Sequence, residues 1–394
     1  MNKINVTMSI LRNYLDKIRP NFEESGRLHA FKSIYDGMDT FLYVPNATSK
    51  SGTNIHDSID SKRIMSMVVI ALVPAMLFGM YNVGYQNYLA AGTLSSATFA
   101  EVFLFGFLAV LPKIIVSYAV GLGIEFAWAQ WKGEEIQEGF LVSGILIPLI
   151  VPVNCPLWAL AVAVAFAVVF AKEIFGGTGM NIFNVALVAR AFLFFSYPTE
   201  MSGDTVWVAK DSIFGFGNQL PDAFTCATPL GAIGSGSAAQ YSLCDMVLGF
   251  IPGSIGETSV IAIAAGAVVL LWTGIASWKT MLSVFVGGGL TAFLFSASGM
   301  TPLPWYEHLV LGGFAFGAVF MATDPVTGAR TEAGKWVFGF IIGTLAVIIR
   351  VMNPGYPEGM MLAVLFANMF APLIDYCVVE RNISKRMKRL KTKK

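Results

Sequence analysis

The chain has 394 residues, of which 55% are hydrophobic and 13% are charged, and its formal net charge is +1. Soluble globular domains carry roughly 25% charged residues, so the composition excludes an ordinary soluble protein. Many apolar runs approach the ~18 residues that a helix needs to cross hydrocarbon, and the alternating pattern of a membrane β-barrel is absent. We therefore predict an all-α polytopic membrane protein with about ten transmembrane helices, and no nucleic acid partner.

The sequence predicts five parts in chain order. Residues 1–62 are a polar cytoplasmic segment without the pattern of a secretory signal peptide. Residues 63–197 and 260–376 each hold five spans, residues 198–259 form an external loop, and residues 377–394 form a basic cytoplasmic tail. The predicted spans are Ile64–Tyr81, Val102–Trp128, Phe140–Val153, Leu157–Phe175, Asn181–Tyr197, Val260–Ile275, Met281–Phe295, Leu309–Ala322, Trp336–Met352 and Gly359–Tyr376.

The distribution of charge orients these spans, because Lys and Arg accumulate in cytoplasmic connections. Eight basic residues and no acid lie between Arg381 and Lys394, which predicts a tail at the anionic cytoplasmic leaflet. The loop at 198–259 holds six acids against Lys210 alone and is expected outside. Both termini are then cytoplasmic, which requires an even number of spans and agrees with ten.

An internal repeat relates the two halves. The short third and eighth spans start at residues 140 and 309, the next pair starts at 157 and 336, and the last pair aligns at 183 and 360. Because each half holds five spans, the second half would be inverted relative to the first. Short helices in such repeats usually meet at an ion or substrate path.

Ionisable groups in or beside the spans are candidates for function, since burying them in a membrane is costly. Asp324 either handles an ion or caps a helix before Pro325. Asp375 either handles an ion, caps a helix or pairs with a basic neighbour. Phe316 and Phe320, four residues apart, share one helix face and form either an apolar constriction or ordinary packing. The complete set of ionisable candidates is Lys113, Glu125, Glu138, Arg190, Asp324 and Asp375.

A glycine-rich turn precedes the fifth span. The amides of Asn181 and Asn184 next to this turn could hydrogen-bond a polar ring such as an isoalloxazine, and interhelical hydrogen bonding is the alternative. The turn lacks the lysine and strand of a phosphate-binding loop, and the chain has no dinucleotide fingerprint. Cys226 and Cys244 in the external loop either pair or remain free thiols.

Nearly the whole chain resembles the B subunits of sodium-translocating NADH:quinone reductases. The resemblance includes Asp57-Ser-Ile-Asp-Ser-Lys-Arg-Ile, Phe175-Gly-Gly-Thr-Gly-Met-Asn, Ile251-Pro-Gly-Ser-Ile-Gly-Glu, His308-Leu-Val-Leu-Gly-Gly-Phe-Ala-Phe-Gly, Asn353-Pro-Gly-Tyr-Pro-Glu-Gly-Met-Met and Val379-Glu-Arg-Asn-Ile. It implies a urea-transporter-like fold of two inverted five-helix repeats.

The resemblance also implies a covalent FMN in the external loop. In this family a threonine at the end of a Ser/Thr-Gly-Ala-Thr motif holds FMN through a phosphoester, and Thr228 occupies that position. Cys226 replaces the usual glycine, Thr225 stands where serine is commoner, and Ala223 replaces a common glycine. Thr225 is the fallback attachment point.

Further sites follow from the resemblance alone. Non-covalent riboflavin is expected near Asn181 and Asn184, and quinone near Glu138 and Gly139 at the cytoplasmic start of the third span. Sodium passage is associated with acidic residues, and a narrow gate with two aromatic residues. These positions are Glu138, Asp324 and Asp375 for sodium, and Phe316 and Phe320 for the gate.

The implied function is redox-driven sodium transport in a bacterial inner membrane. Electrons from NADH would pass through flavins in this chain to quinone while sodium moves outward. Partners would be the other members of a six-subunit complex, membrane lipid and quinone, and the NADH site would lie on a partner. Two alternatives remain: the D subunit of the ion-translocating ferredoxin:NAD reductase, and a passive small-solute channel without flavin.

Overall fold

The computed structural model describes residues 12–22, 35, 39, 61–133, 139–221, 224–234, 241–353 and 358–392. The ordered elements among these residues are helices, with one isolated bridge between Ile213 and Phe216 and no strand in the described part of the chain. The predicted all-α class is therefore confirmed.

In the described part of the chain, ten apolar helical elements follow the predicted spans. They are α1 Ser61–Ala90, α2 Phe99–Lys132, α3 Phe140–Ile150, α4 Leu157–Ala167, α5 Val185–Ser196, α6 Val260–Trp272, α7 Trp278–Ala297, α8 Phe314–Phe316, α9 Glu332–Met352 and α10 Met360–Thr392. Two elements continue as π-helical turns, α4 through Val168–Glu173 and α8 through Gly317–Met321. Among the described residues, five helices, α1, α2, α7, α9 and α10, are long and apolar enough to cross a membrane.

Several helix ends differ from the predicted spans, and α1 for example runs to Ala90 rather than ending at Tyr81. The fifth element begins at Val185 rather than Asn181, because the Asn184 side chain accepts the N–H groups of Ala186 (3.0 Å) and Leu187 (3.3 Å) and so caps the helix. The last helix does not stop at Tyr376 but continues to Thr392. Beyond Pro372 the sequence contains no Gly or Pro to end it, and Lys, Arg and Met favour helix.

Several helix contacts of the first half have counterparts in the second, although α1 packs against α2 and, among the described residues, α6 has no comparable contact with α7. In the first half α2 contacts α3 and α4, and α4 contacts α5; in the second half α7 contacts α8 and α9, and α9 contacts α10. Contacts between the halves include α1 with α6 and α5 with α10.

A close helix approach joins α7 to α9 through glycines. A Cβ added at Gly343 would lie 2.0 Å from the carbonyl oxygen of Val284, and one at Gly287 would lie 2.5 Å from that of Phe340. Small residues at such positions bring two backbones into van der Waals contact within a membrane.

The segment between α5 and α6 is partly helical and has its own core. Short helices occupy Pro198–Met201, Pro229–Gly234 and Leu243–Leu248. Leu230, Met246 and Ile251 pack with Leu303 and Leu311 of the second half in a small apolar cluster. This cluster fixes the segment that follows Thr228 against the loop before α8.

We expect Gly343→Ala to destabilise the chain by roughly 1–3 kcal/mol, because the added methyl group forces α9 away from α7. The matched control is Gly123→Ala in α2, where an added Cβ meets no atom within 4 Å. Thermal unfolding of the two purified variants in detergent measures the difference. Equal loss of stability in both variants would contradict the close approach.

Candidate functional site

A cavity of about 90 Å³ lies where the two halves of the chain meet. Its walls come from the start of α1, the start of α3, the turn before α5, the end of α6 and the end of α8. It collects residues predicted separately for flavin, quinone, sodium and gate sites. These are Asn181, Asn184, Gly139, Asp324 and Phe320, and Lys172 lines the cavity beside them.

Asn184 and Asp324 meet across the halves. The Nδ2 of Asn184 lies 3.5 Å from Oδ2 of Asp324, while Oδ1 of Asn184 caps α5. The orientation of the amide is thus fixed by the helix cap, with its N–H groups toward the carboxylate. Asn184 can both make this interhelical hydrogen bond and contact a bound polar ring, because the same side chain also lines the cavity.

Asp324 is held by the turn that follows α8. Its Oδ1 accepts the N–H of Val326 at 3.0 Å and its Oδ2 accepts the hydroxyl of Thr327 at 2.9 Å. These contacts close a turn rather than cap a helix, because the next helix begins at Glu332, and Asp324 still faces the cavity. Burial raises the pKa of Asp324, against the lowering effect of these hydrogen bonds.

Asn181 and Gly139 form the edge of the cavity nearest the glycine-rich turn. Asn181 donates from Nδ2 to the carbonyl of Phe183 at 3.1 Å, and its side-chain oxygen can act as an acceptor. A Cβ at Gly139 would lie 2.4 Å from Cγ2 of Thr178, so the α3 start and the turn touch closely. The other predicted quinone residue, Glu138, lies outside the described residues.

A buried ion pair forms another wall. Lys172, 3% exposed, donates to Oε1 of Glu125 in α2, which is 4% exposed. The other carboxylate oxygen, Oε2 of Glu125, is buried without a hydrogen-bond partner among the described residues. Lys172 thus brings a compensated positive charge to the cavity surface.

Phe316 and Phe320 pack against each other along the π-helical end of α8. Their ring centroids are 4.9 Å apart with planes inclined at 49°, and both side chains are buried. Phe320 lies against Gly266 of α6, where a Cβ would come within 2.6 Å of its ring. Of the two rings, Phe320 lines the cavity and Phe316 packs behind it, which is compatible with both predicted roles.

Asp375 does not line this cavity. Its Oδ2 accepts the N–H of Arg330 at 2.7 Å and its Oδ1 accepts the N–H of Thr331 at 2.9 Å. The carboxylate thereby joins α10 to the residues that precede α9. A sodium role for Asp375 would require it to exchange these donors for the ion.

A second charged cluster lies beside the middle of α5. Arg190 donates to Oε1 of Glu257 at 2.8 Å and to Glu358, and it lies 3.4 Å from the hydroxyl of Ser254. Arg190 and Glu257 are both 5% exposed. The cluster fixes α5 to the segments that precede α6 and α10.

The loop threonines differ in exposure. Thr225 is exposed, whereas Thr228 is half-buried and its Oγ1 accepts the N–H of Gly231 at 3.1 Å. Cys226 and Cys244 are free thiols. The hydroxyls of Thr225 and Thr228 therefore both lie on the short segment that leads into the helix Pro229–Gly234. Ala223 lies outside the described residues.

Sequence reasoning misses two groups of this site. The sequence places Lys172 among the charges of cytoplasmic connections and Glu257 among the acids of the external loop, but both are buried in ion pairs. Glu125 and Arg190 are recognisable in the sequence as buried charges, whereas their partners are not. A charge within an apolar run is the one signal that the sequence offers, and it does not identify which residues meet.

Comparisons with known proteins bear on this arrangement. A model of the NQR2, RnfD, RnfE family matches residues 48–384. The chain is 48% identical to the B subunit of the Na(+)-translocating NADH-quinone reductase of Chromohalobacter salexigens, over 96% of each chain. It is 45% identical to the protein of that name from Azotobacter vinelandii and 43% identical to that from Pseudomonas aeruginosa, each over 96% of this chain and 99% of the relative.

We expect Lys172→Met to destabilise the chain by about 3–5 kcal/mol, because it leaves the Glu125 carboxylate buried without its partner. The double variant Lys172→Met/Glu125→Gln removes both charges and should regain most of that loss. Thermal unfolding of both variants and of Glu125→Gln in detergent tests the pair as a double-mutant cycle. Additive losses would show that the two side chains do not interact.

Proposed function

Because the chain belongs to the NQR2, RnfD, RnfE family, we propose that it is the B subunit of a sodium-translocating NADH:quinone reductase. In this role it passes electrons through flavins towards quinone and couples that transfer to outward sodium movement. The near full-length identity of 48% to a relative of that name carries the proposal.

The competing candidate from the same family is the D subunit of the ion-translocating ferredoxin:NAD reductase. The family match by itself fits both. Identity of 43–48% over 96% of the chain to proteins named as B subunits of the NADH-quinone reductase favours the first. A passive solute channel would not require Thr228 to be modified, so the presence of covalent flavin separates it from both reductases.

The proposed architecture is two inverted five-helix repeats. Its support is the pattern of helix contacts, since pairs within the first half recur at equivalent elements of the second. The contacts of α1 with α6 and of α5 with α10 join elements that would be equivalent in the two repeats, which supports a pseudo-two-fold axis between them. In such repeats a substrate or ion site lies at the repeat interface, where Asn184 meets Asp324.

We place covalent FMN on Thr228 in the external segment. The fit rests on a half-buried hydroxyl whose hydrogen bond from Gly231 would remain possible to an ester oxygen. Attachment requires the half-buried segment to be accessible to the transferring enzyme. Bound there, the flavin would supply one-electron chemistry, and this chain would hold it at the outer face next to the second half.

The cavity is the proposed riboflavin site. Its donors and acceptors suit a polar heterocycle: the amides of Asn181 and Asn184 and the charged pair at Lys172. At about 90 Å³ it is smaller than the ~300 Å³ at which small-molecule pockets begin, so the walls must part to admit an isoalloxazine. Gly139, which also lines this cavity, belongs to the proposed quinone site. Its proposed neighbour in that site, Glu138, lies outside the described residues.

Sodium would reach Asp324 on the cytoplasmic side and then pass the rings of Phe320 and Phe316. Asp324 is suited to hold a cation because its carboxylate is buried and oriented by Val326 and Thr327. Moving one charge against ~150 mV costs about 3.5 kcal/mol. A one-electron drop of ~300 mV supplies roughly twice that.

The proposed setting is a bacterial inner membrane, with both termini cytoplasmic and the Thr228 segment outside. Other members of a six-subunit complex would supply the NADH site. The exposed ion pairs of Glu332 with Lys279 and Lys335 mark the cytoplasmic ends of α7 and α9. Their position agrees with the orientation that the basic tail predicts.

We expect Thr228→Val to abolish flavin fluorescence of the denatured chain on a gel, because valine has the same shape without the hydroxyl that forms the ester. Thr225→Val, three residues earlier on the same segment, should retain it. Protein from the native host is required, so that the flavin-attaching enzyme is present. Fluorescence that survives Thr228→Val and disappears with Thr225→Val would move the attachment site to Thr225.

We expect Asp324→Asn to weaken the sodium stimulation of quinone reduction at least tenfold, because the amide cannot compensate the charge of the ion. Burial favours the protonated acid, so in the unaltered chain the carboxylate ionises only above a raised pKa. The sodium concentration for half-stimulation should therefore rise as pH falls through that pKa, and Asp324→Asn should abolish this pH dependence. Unchanged sodium and pH dependence would refute the assignment.

A further inference from the structure

The last helix extends well past the cytoplasmic edge of the membrane. Asp375 of α10 binds the backbone of Arg330 and Thr331, so it lies level with the start of α9. At that level Trp278 packs edge-on against Trp336, with centroids 5.8 Å apart, next to the exposed Glu332 ion pairs. Paired tryptophans beside exposed charges are typical of a membrane–water interface.

Residues 376–392 therefore project beyond this interface as helix. At 1.5 Å per residue they span about 25 Å, more than the ~7 Å of one headgroup layer. The segment is continuous with α10 and contains no Gly or Pro. We call it the C-terminal helical extension.

The extension carries an apolar stripe along one side. Val379, Ile383, Met387 and Leu390 recur at helical spacing and are 46%, 45%, 54% and 69% exposed. At 100° per residue these four side chains fall within about 80° of the helix circumference, in line with Tyr376. Such a stripe above the membrane surface is unfavourable in water, which indicates that another surface covers it.

The opposite side of the extension is basic. Measured around the helix from Tyr376, the stripe covers roughly −60° to 20°, whereas four exposed basic residues lie at roughly 120–220°. They are Arg381, Lys385, Lys388 and Arg389. Glu380 is the one acid between residues 376 and 392 of the sequence. Arg386 is also exposed and lies about 20° outside the stripe on the same helical wheel, so a surface that covers the stripe is favoured if its rim is acidic.

We propose that the C-terminal helical extension is a docking helix, whose apolar stripe inserts into an acidic-rimmed apolar groove of a cytoplasmic partner protein. The mode is a helix in a groove, with anchors at Val379, Ile383, Met387 and Leu390. This proposal rests on the helix and its surface, and does not depend on the flavin or sodium assignments.

The geometry favours a protein over lipid as the occupant. A stripe that continues the axis of α10 points along the membrane normal, so its distal residues cannot reach hydrocarbon without a break in the helix. A basic amphipathic helix that binds lipid lies instead in the plane of the interface. A second copy of this chain is disfavoured because Arg386, which is exposed and lies at the edge of the stripe on the helical wheel, would face the same residue of that copy.

The first test places a photo-crosslinking amino acid at Ile383 in the stripe, or at Lys385 on the basic side as the control. The full chain is expressed in its native host and irradiated in membranes. We expect Ile383 to crosslink to one polypeptide that also co-purifies with the chain in constant ratio, at least tenfold more than Lys385 does. Crosslinks from Ile383 to lipid, to a second copy of the chain or to nothing would overturn the proposal.

The second test compares Ile383→Glu with Asn382→Glu, which adds the same charge next to the stripe. Recovery of the crosslinked partner should fall at least tenfold with Ile383→Glu and less than twofold with Asn382→Glu. The same recovery should decrease as NaCl is raised from about 50 to 500 mM, because the contact is partly electrostatic. Equal losses for the two variants at equal chain levels in the membrane would overturn the role of the stripe.

Discussion

The compensation of charge inside an apolar scaffold is the constraint on which this structure depends. An ionised group in hydrocarbon is tolerated only with a partner, and the chain pairs Lys172 with Glu125 and Arg190 with Glu257. The first pair joins α2 to the π-helical end of α4, and the second joins the two halves. Each pair fixes a backbone segment that would otherwise have only non-directional apolar contacts.

These fixed segments position the cavity. Asn184 caps the same helix that carries Arg190 near its middle, so the Arg190 cluster holds α5 while the start of the helix presents the Asn184 amide to Asp324. Lys172 lies in the π-helical turn that leads to the glycine-rich turn and Asn181. Irregular backbone within membrane proteins is stable where it lines a protein-enclosed site, as it does here.

The cavity thus unites functions that its residues suggest separately. A flavin site at Asn181 and Asn184 and a sodium site at Asp324 would share one wall, so a change of charge on the flavin would act on the ion over a short distance. The C-terminal helical extension begins beside Arg330 and Thr331, which closely follow Asp324 in the chain. A partner bound there would be close to this cavity rather than to the Thr228 segment.

The sequence alone determined the helical class, the apolar segments and the candidate residues, because hydropathy and motifs are local properties of the chain. It identified Asp324 and Asp375 as candidates, but it did not locate the start of α5 at Val185 or the continuation of α10 as helix beyond Tyr376. Only the tertiary structure decided that Lys172 pairs with Glu125, that Glu257 is buried against Arg190, and that Asn184 meets Asp324. Partners 47, 67 and 140 residues apart are brought together by helix packing, which no local pattern encodes.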